Sequence, residues 1–499
     1  MSYSKLTKTK IKSGLQCKKK LWFDFHKPEN EDNNASIYIG NIFGEKLREL
    51  DKSGLDLTGL NSTTAIAKTK EGLVNYDIIY EAAFVYQDTL IRPDVLKRSK
   101  DGWELCEAKA VKVKDASPDE VKEVFIKDIA IQHYVVSSCN VNITKSNLIC
   151  IDDEFVYKGD KNYKNLIKEI DLTEKVNKES PKVNQDIQDL ISLSDSSTIC
   201  PNCPMGDHCE DPYPCVYIPR CKAELNQNDI IDYKILPNIR KKELKLFIQD
   251  KKITNNIQDI PDYLLTEQQK IVKDCHLNNS EYFNLELKKI LEEYDWPFYF
   301  MDFETIQQFI PIIKNTKSHE SIPFQWSVHK WNKKGDDLKI DQGYSFLDFS
   351  SDDIEKKFIE SLLKCLGKKG SIFVHNETTE ITVLKKLKEK EICKVFSDEI
   401  DLIISRIKDT LPLARKYFYN TKMKGKYSIK QIIKSIPTNI SYTEEGNIDG
   451  GRRAQLAWYR CTDPNVTNEE KENEKTLLKQ YCAKDTFAMY DLVKYWLQK

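Results

Sequence analysis

A mixed α/β protein of two domains is what this sequence predicts, and three observations carry the prediction. Its 499 residues suffice for two or three independent cores. From Trp296 onward, apolar strand-like runs alternate with helical ones, the pattern of a sheet flanked by helices. Before about residue 160, shorter strand-like and helical runs are mixed, and a cysteine-dense stretch follows them. The expected organisation is a domain over 1–224, a helical connector over 225–290 and a second domain over 291–499.

Composition narrows the class. A hydrophobic content of 40%, with 7 Trp and 24 Tyr, excludes a generally disordered chain. The net charge of −1 supplies no global attraction to nucleic acid, so any such binding must come from local lysines. No apolar run approaches a membrane span, and Met-Ser-Tyr-Ser-Lys at the start lacks the apolar stretch of a signal peptide. A soluble, cytoplasmic protein with no membrane partner is therefore expected. In a reducing compartment the 14 cysteines are not expected to form disulfides, and a cluster among them points to metal.

In the first domain, strands are expected at Asp77 to Gln87, Ile91 to Leu96 and Gly102 to Ala110. Ile91-Arg-Pro-Asp94 and Glu107-Ala-Lys109 lie on two of these, joined by the turn-like Lys97 to Gly102. Glu107 and Lys109 share a strand face, and a hairpin brings Asp94 beside them. Carboxylates from both strands suit a divalent cation, and the ammonium suits charge developing on a phosphate. In a chain that is 31% charged, a solvated hairpin is the plain alternative. Pro93, the spacing, and apolar Val95, Leu96, Leu105 and Cys106 favour a site.

These residues resemble the PD-(D/E)XK nucleases of the RecB type, including the CRISPR adaptation nucleases that carry an iron–sulfur cluster. Pro93-Asp94 is similar to the PD, Glu107-Ala108-Lys109 to the (D/E)XK, and Gln132, on the helical run Ile126 to Val136, to the closing glutamine. The resemblance implies metal ligands at Asp94 and Glu107, with Lys109 and Gln132 also catalytic. Two departures stand out. The tyrosine partner lies two residues after Gln132, at Tyr134, rather than four, and the glycine-led helix at Gly40 to Glu45 lacks the usual histidine, leaving Glu45 as a substitute ligand.

Cys200 and Cys203 form a CxxC, and Cys209, Cys215 and Cys221 follow in a Pro-rich loop; Cys17 stands alone near the start. Five thiols in so short a stretch suit iron–sulfur or zinc. One early cysteine plus a late trio resembles the iron–sulfur staple of RecB-type nucleases. That resemblance implies a 4Fe–4S cluster on Cys17, Cys209, Cys215 and Cys221, whereas a local set of Cys200, Cys203, Cys209 and Cys215 would indicate zinc. The remaining cysteines, such as Cys139, Cys150 and Cys365, are expected in the core.

After amphipathic helical stretches at Lys241 to Lys251 and Glu267 to Cys275, the second domain opens on Phe298-Tyr-Phe-Met-Asp302-Phe-Glu304. On a strand, Asp302 and Glu304 project together, and such a pair of carboxylates invites a hard cation, Mg²⁺ or Mn²⁺. Two further segments add acids: strand Ser371 to His375 with Glu380 opening the next helix, and Tyr481 and Asp485 at i and i+4 of the C-terminal helix. His375 and His329 read as satisfied core residues, and the lysines Lys424, Lys426 and Lys430 as a solvated turn, with phosphate contact the sharper alternative.

The set Asp302, Glu304, Glu380, Tyr481 and Asp485 resembles the DEDDy exonucleases of the RNase H-like fold, although Glu380 stands where Asp is usual; Asp409 is the fallback ligand. Together the two resemblances imply an N-terminal PD-(D/E)XK restriction-endonuclease-like domain and a C-terminal RNase H-like domain. They imply a nuclease with two metal centres acting on DNA, at ends or single strands, the second trimming from the 3′ end. RNA as substrate, or end binding without cleavage, are the alternatives.

Overall fold

The computed structural model describes residues 6–29, 34–194, 199–224, 233–250, 256–350, 353–442 and 451–499. The chain divides into two compact units, 1–226 with 308–319, and 227–307 with 320–499. Both are mixed α/β.

The first unit is built on a six-stranded sheet: β1 (Leu55–Asp56), β2 (Ile78–Tyr80), β3 (Val95–Ser99), β4 (Gly102–Lys112), β5 (Ile143–Ile151) and β6 (Ile167–Asp171), adjacent in that order. β3 and β4 form an antiparallel hairpin with Val95 opposite Cys106. That register sets Asp94, one residue earlier, beside Glu107, one residue later. β4 and β5 run parallel, so the chain needs a crossover, and the helix Glu123–Ser138 supplies part of it. The run expected as one strand over Asp77 to Gln87 is broken at Glu81, whose φ of 54° turns the chain. Phe84–Tyr86 leaves the main sheet and pairs with Thr89–Ile91, which in turn pairs in parallel with Leu6–Thr7.

Four helices of this unit matter below: α1 (Lys8–Gln16), α2 (Lys18–His26), α3 (Glu123–Ser138) and α4 (Thr173–Ile191). The polar stretch after Asp171 forms α4 because Val176, Val183, Ile187 and Leu190 recur on one face and are buried. Residues 195–198 lie outside the described residues.

The second unit carries a five-stranded sheet of β7 (Phe298–Gln307), β8 (Ser321–Trp331), β9 (Tyr344–Leu347), β10 (Ser371–Val374) and β11 (Ile407–Asp409), in the order β9-β8-β7-β10-β11. β7 is antiparallel to β8 and parallel to β10. Helices α5 (Thr378–Glu389) and α6 (Asn468–Gln498) complete the frame around the acids. Alternation along β7 separates two cores. Phe298 and Phe300 pack with Tyr490 and Trp496 of α6, whereas Tyr299, Met301 and Phe303 pack with Phe358 and Leu384. Asp302 and Glu304 continue the parity of Phe298 and Phe300.

The 225–290 segment is not a separate connector. Leu236, Leu244, Ile257 and Val272 belong to the same buried cluster as Phe298 and Trp496, and Glu281–Phe283 pairs antiparallel with Phe418–Asn420. Amphipathic helices must bury their apolar stripe, and here the second unit's core receives it. Residues 225–232 and 251–255 of that segment lie outside the described residues. Among the described residues, no helix is long and apolar enough to cross a membrane.

Candidate functional site: two acid clusters and a thiol-lined cavity

The β3–β4 hairpin and α3 bring together Asp94, Glu107, Lys109 and Gln132. Glu107 has no exposed surface. Lys8 Nζ donates to both of its oxygens, at 2.9 and 3.1 Å, Gln132 Nε2 donates to Oε2 at 2.7 Å, and Lys109 donates to Oε1. Burial pushes the Glu107 carboxyl up, but Lys8 and Lys109 outweigh it and hold the group well below the usual carboxylate range. Asp94 accepts from the Ala108 amide at 2.6 Å; burial first, and then Glu107, push it up to about 7. Burial opposes charge on Lys8 and Lys109 too, and the surrounding carboxylates more than reverse that.

Sequence reasoning missed Asp128, Lys8 and Lys12. Asp128 is fully buried and lies 3.6 Å from Lys8, 3.2 Å from Lys12 and 3.4 Å from Lys109. A signal existed, since Asp128 precedes Gln132, and Lys8 precedes Lys12, by four residues, hence one helical face each. Tyr134, two residues past Gln132, points away and donates to Asn184 at 2.8 Å, and Glu45 is exposed.

The second cluster gathers Asp302 and Glu304 from β7, Glu380 from α5, and Tyr481 and Asp485 from α6. Glu304, Glu380, Tyr481 and Asp485 are all buried. Cys482 Sγ, on the same turn as Asp485, lies 3.5 Å from Asp302 Oδ2. Burial, then Asp485, Glu304 and Glu380 in turn, drive Asp302 far above the carboxylate range. Burial and Asp485 push Glu304 up to about 8. Burial likewise takes Glu380 up to about 8, with Asp409 and Glu377 adding to it. Glu380 Oε2 is buried without a hydrogen-bond partner. Burial raises Asp485 as well, against a 2.6 Å hydrogen bond from Tyr442 and the influence of Lys430 and Tyr481.

Tyr442 and Lys430 are the residues that sequence reasoning missed or left in a solvated turn. Lys430 Nζ lies 4.7 Å from the centre of the Tyr481 ring and 5.5 Å from that of Tyr442, while Lys424 and Lys426 are exposed. Asp409, the fallback ligand, accepts from the amides of Asn376, Glu377 and Leu411 at 2.8, 3.1 and 2.8 Å, fixing a loop and a helix start. His375 bonds Thr410 and the Tyr427 carbonyl, and His329 bonds Thr486 and the Ile340 carbonyl, so both are satisfied core residues.

Cys17, Cys203, Cys209, Cys215 and Cys221 line one cavity, together with Lys20, Phe23, His208 and Tyr217. Cys17 sits at the junction of α1 and α2. Gln16 ties that junction to the cysteine loop by donating to the carbonyls of His208, Asp211 and Tyr213 at 2.9, 3.3 and 2.7 Å. Tyr217 donates to Asp24 at 2.8 Å. Cys203 is a thiol that the choice from sequence left out; Cys200 is not among the lining residues. All the cysteines are free thiols. Cys139 and Cys365 are half-buried, and Cys150 is in the core.

Among the described residues, no three His, Cys, Asp or Glu side chains are drawn together as a formed ion site. In the second cluster Asp485 and Glu380 act on both Asp302 and Glu304, and Glu304 acts on Asp302. Residues 299–428 match a family model described as a domain of unknown function, DUF2779. The match takes in Asp302, Glu304 and Glu380 and stops short of Lys430, Tyr481 and Asp485. No curated protein matches the chain.

Proposed function

We propose that the chain is a divalent-metal-dependent nuclease whose chemistry runs at the second cluster. One observation carries this reading: half-buried Asp302 and buried Glu304, Glu380 and Asp485 come together from three separate segments, and Asp485 and Glu380 both push Asp302 and Glu304 up. A fold that keeps four such acids against mutual repulsion is suited to cations between them. Asp302 lies just beyond Phe300, the last β7 residue paired with β10, where strands part and α/β sheets place their ligands. This supports the RNase H-like, DEDDy-type reading of the second unit.

The residues fit Mg²⁺ or Mn²⁺: four carboxylates supply hard oxygen donors, and Glu380 Oε2 is a buried acceptor with nothing donating to it. When bound, such ions would supply Lewis-acid stabilisation of charge on a phosphodiester and lower the pKa of water. The chain's own groups do the rest. Tyr442 holds Asp485 in one orientation through its hydroxyl. Tyr481, which Asp485, Glu304 and Asp302 all act on, would orient the attacking water, and Lys430, over the Tyr481 ring, would bring positive charge toward the strand's phosphates.

The hairpin, the (D/E)XK spacing and the crossover helix support a PD-(D/E)XK-type first unit. Its centre does not fit a cation as arranged, because lysines and Gln132 occupy Glu107, and no step is assigned to it. The thiol cavity fits a soft metal group by donor chemistry. Cys17, Cys209, Cys215 and Cys221 would hold a 4Fe–4S cluster, with Cys203 beside Cys17, and a zinc site that includes Cys200 and Cys203 is the alternative. Iron and sulfide analysis of anaerobically purified protein decides between them, and zinc without sulfide would overturn the cluster.

DNA ends or single strands are the proposed substrate. The test is cleavage of end-labelled single-stranded DNA, duplex DNA and matched RNA with Mg²⁺ or Mn²⁺. Metal-dependent shortening of DNA is expected in the wild type and not in the Asp94→Ala, Asp302→Ala double variant. Retained cleavage in that variant overturns the assignment; end binding without any metal-dependent cleavage makes the chain a binding protein.

A further inference from the structure

We infer that Lys8 is a tethered cation occupying the place of a divalent ion at Glu107, so that the first centre stays closed to metal while its ammonium is there. The inference rests on the nuclease reading and goes beyond it. Lys8 Nζ bonds both oxygens of Glu107 at 2.9 and 3.1 Å and lies 3.6 Å from Asp128 Oδ1. A cation bridging the fully buried Glu107 and Asp128 would need those same oxygens. Asp128 Oδ1 is buried without a hydrogen-bond partner, as is Gln132 Oε1, so acceptors beyond those the lysines satisfy face this centre.

Lys8 is not a long side chain that happened to settle there. It is the first residue of α1, whose start is capped by Thr7 accepting from Lys10 N at 3.3 Å. Leu6–Thr7, just before it, is a strand paired with Thr89–Ile91. One turn on, Lys12 pairs with Asp128 at 3.2 Å. Ile11, Ser13 and Gly14 of the same helix are buried, and a Cβ on Gly14 would meet Leu190 at 2.6 Å. At the far end, Gln16 is bonded to three carbonyls of the cysteine loop. The backbone on both sides therefore fixes the point from which Lys8 reaches Glu107, and its four-carbon stem carries the ammonium the rest of the way. A mobile Mn²⁺ must compete with a cation that is already in place and charge-matched.

Mn²⁺ is the probe, followed by paramagnetic titration of the free ion. The full chain carries Asp302→Asn and Asp485→Asn, so that binding at the second cluster is removed. In this background, Lys8→Met is expected to bind Mn²⁺ at least about tenfold more tightly than the parent with Lys8, the direction that removing a contacting like charge dictates. Adding Glu107→Gln to Lys8→Met should abolish the gain, and Lys8→Arg should leave the site closed. Equal affinity in Lys8→Met and its parent, or weaker binding in Lys8→Met with native circular dichroism, overturns the inference. If Lys8→Met does not fold, Lys8→Gln provides the same comparison, and tight Mn²⁺ binding by the parent background that Glu107→Gln abolishes also overturns it. Failure of the nuclease reading shows separately, as no Mn²⁺ binding by the otherwise wild-type chain at Asp302 and Asp485.

Discussion

The two acid clusters solve opposite electrostatic problems. In the first, Asp94, Glu107 and Asp128 face Lys8, Lys12 and Lys109, and Glu107 is held ionised by its neighbours. In the second, Asp485 and Glu380 press on Asp302 and Glu304, with Lys430 acting on Glu304 and Asp485. Buried charge is costly unless paired. The first cluster meets that cost with lysines of the chain, whereas the second meets it by holding its carboxyls toward the neutral form. On the proposed reading, the difference separates a centre whose charge is balanced within the chain from one that takes up cations.

The comparison breaks most visibly in cleavage rates. Asp302→Ala should lower metal-dependent cleavage under single-turnover conditions by roughly 10²–10³-fold, the size seen when a group stabilising transition-state charge is removed. Glu107→Gln should change it less than a few-fold; equal losses would erase the distinction.

Stability should move in opposite directions at the two clusters. Glu107→Gln leaves partly buried Lys8 and Lys109 facing an uncharged amide, and thermal or urea unfolding should show a loss of about 3–5 kcal/mol. Glu304→Gln relieves repulsion and should raise the melting temperature of the metal-free protein.

The pH dependence sharpens the same contrast. Glu304 and Glu380 move from 4.5 when unfolded to about 8 when folded, so between those values the native state holds more protons. Their contribution to metal-free stability should therefore fall as pH rises from about 4.5 to about 8, and Mn²⁺ should restore it. Glu107 has the opposite sign: the stability it supplies is present above its unfolded value and lost as pH falls below it. Melting curves with and without Mn²⁺ check Glu304 and Glu380 from about pH 4 to 9 and Glu107 below about pH 4.5, the ranges over which carboxylates so shifted titrate.

The smallest effect is expected at Tyr442. Tyr442→Phe removes a hydrogen bond that favours the charged form of Asp485. The acid limb of the cleavage profile should move to higher pH, with a loss of only a few-fold at the optimum. An unmoved limb would make Tyr442 a packing residue.

Much of this was legible in local pattern. Period-two alternation placed Asp302 with Glu304 and Glu107 with Lys109, and the i, i+4 spacing of Tyr481 and Asp485 put them on one helical face. β7 and α6 formed where expected, as Phe298–Gln307 and Asn468–Gln498. The break at Glu81 was hidden because a positive φ at a non-glycine residue leaves no compositional mark. The 225–290 segment looked detached because amphipathic helices show that a face must be buried but not against what.

From sequence alone came the candidate acids, the thiols and the elements that carry them, since side-chain periodicity is a property of neighbours along the chain. Tertiary structure decided their electrostatic company. Lys8 reaches Glu107 across 99 positions, and Tyr442 reaches Asp485 across 43. Whether a buried carboxylate is satisfied by a lysine or left for a metal depends on distance in space, which spacing along the chain does not encode.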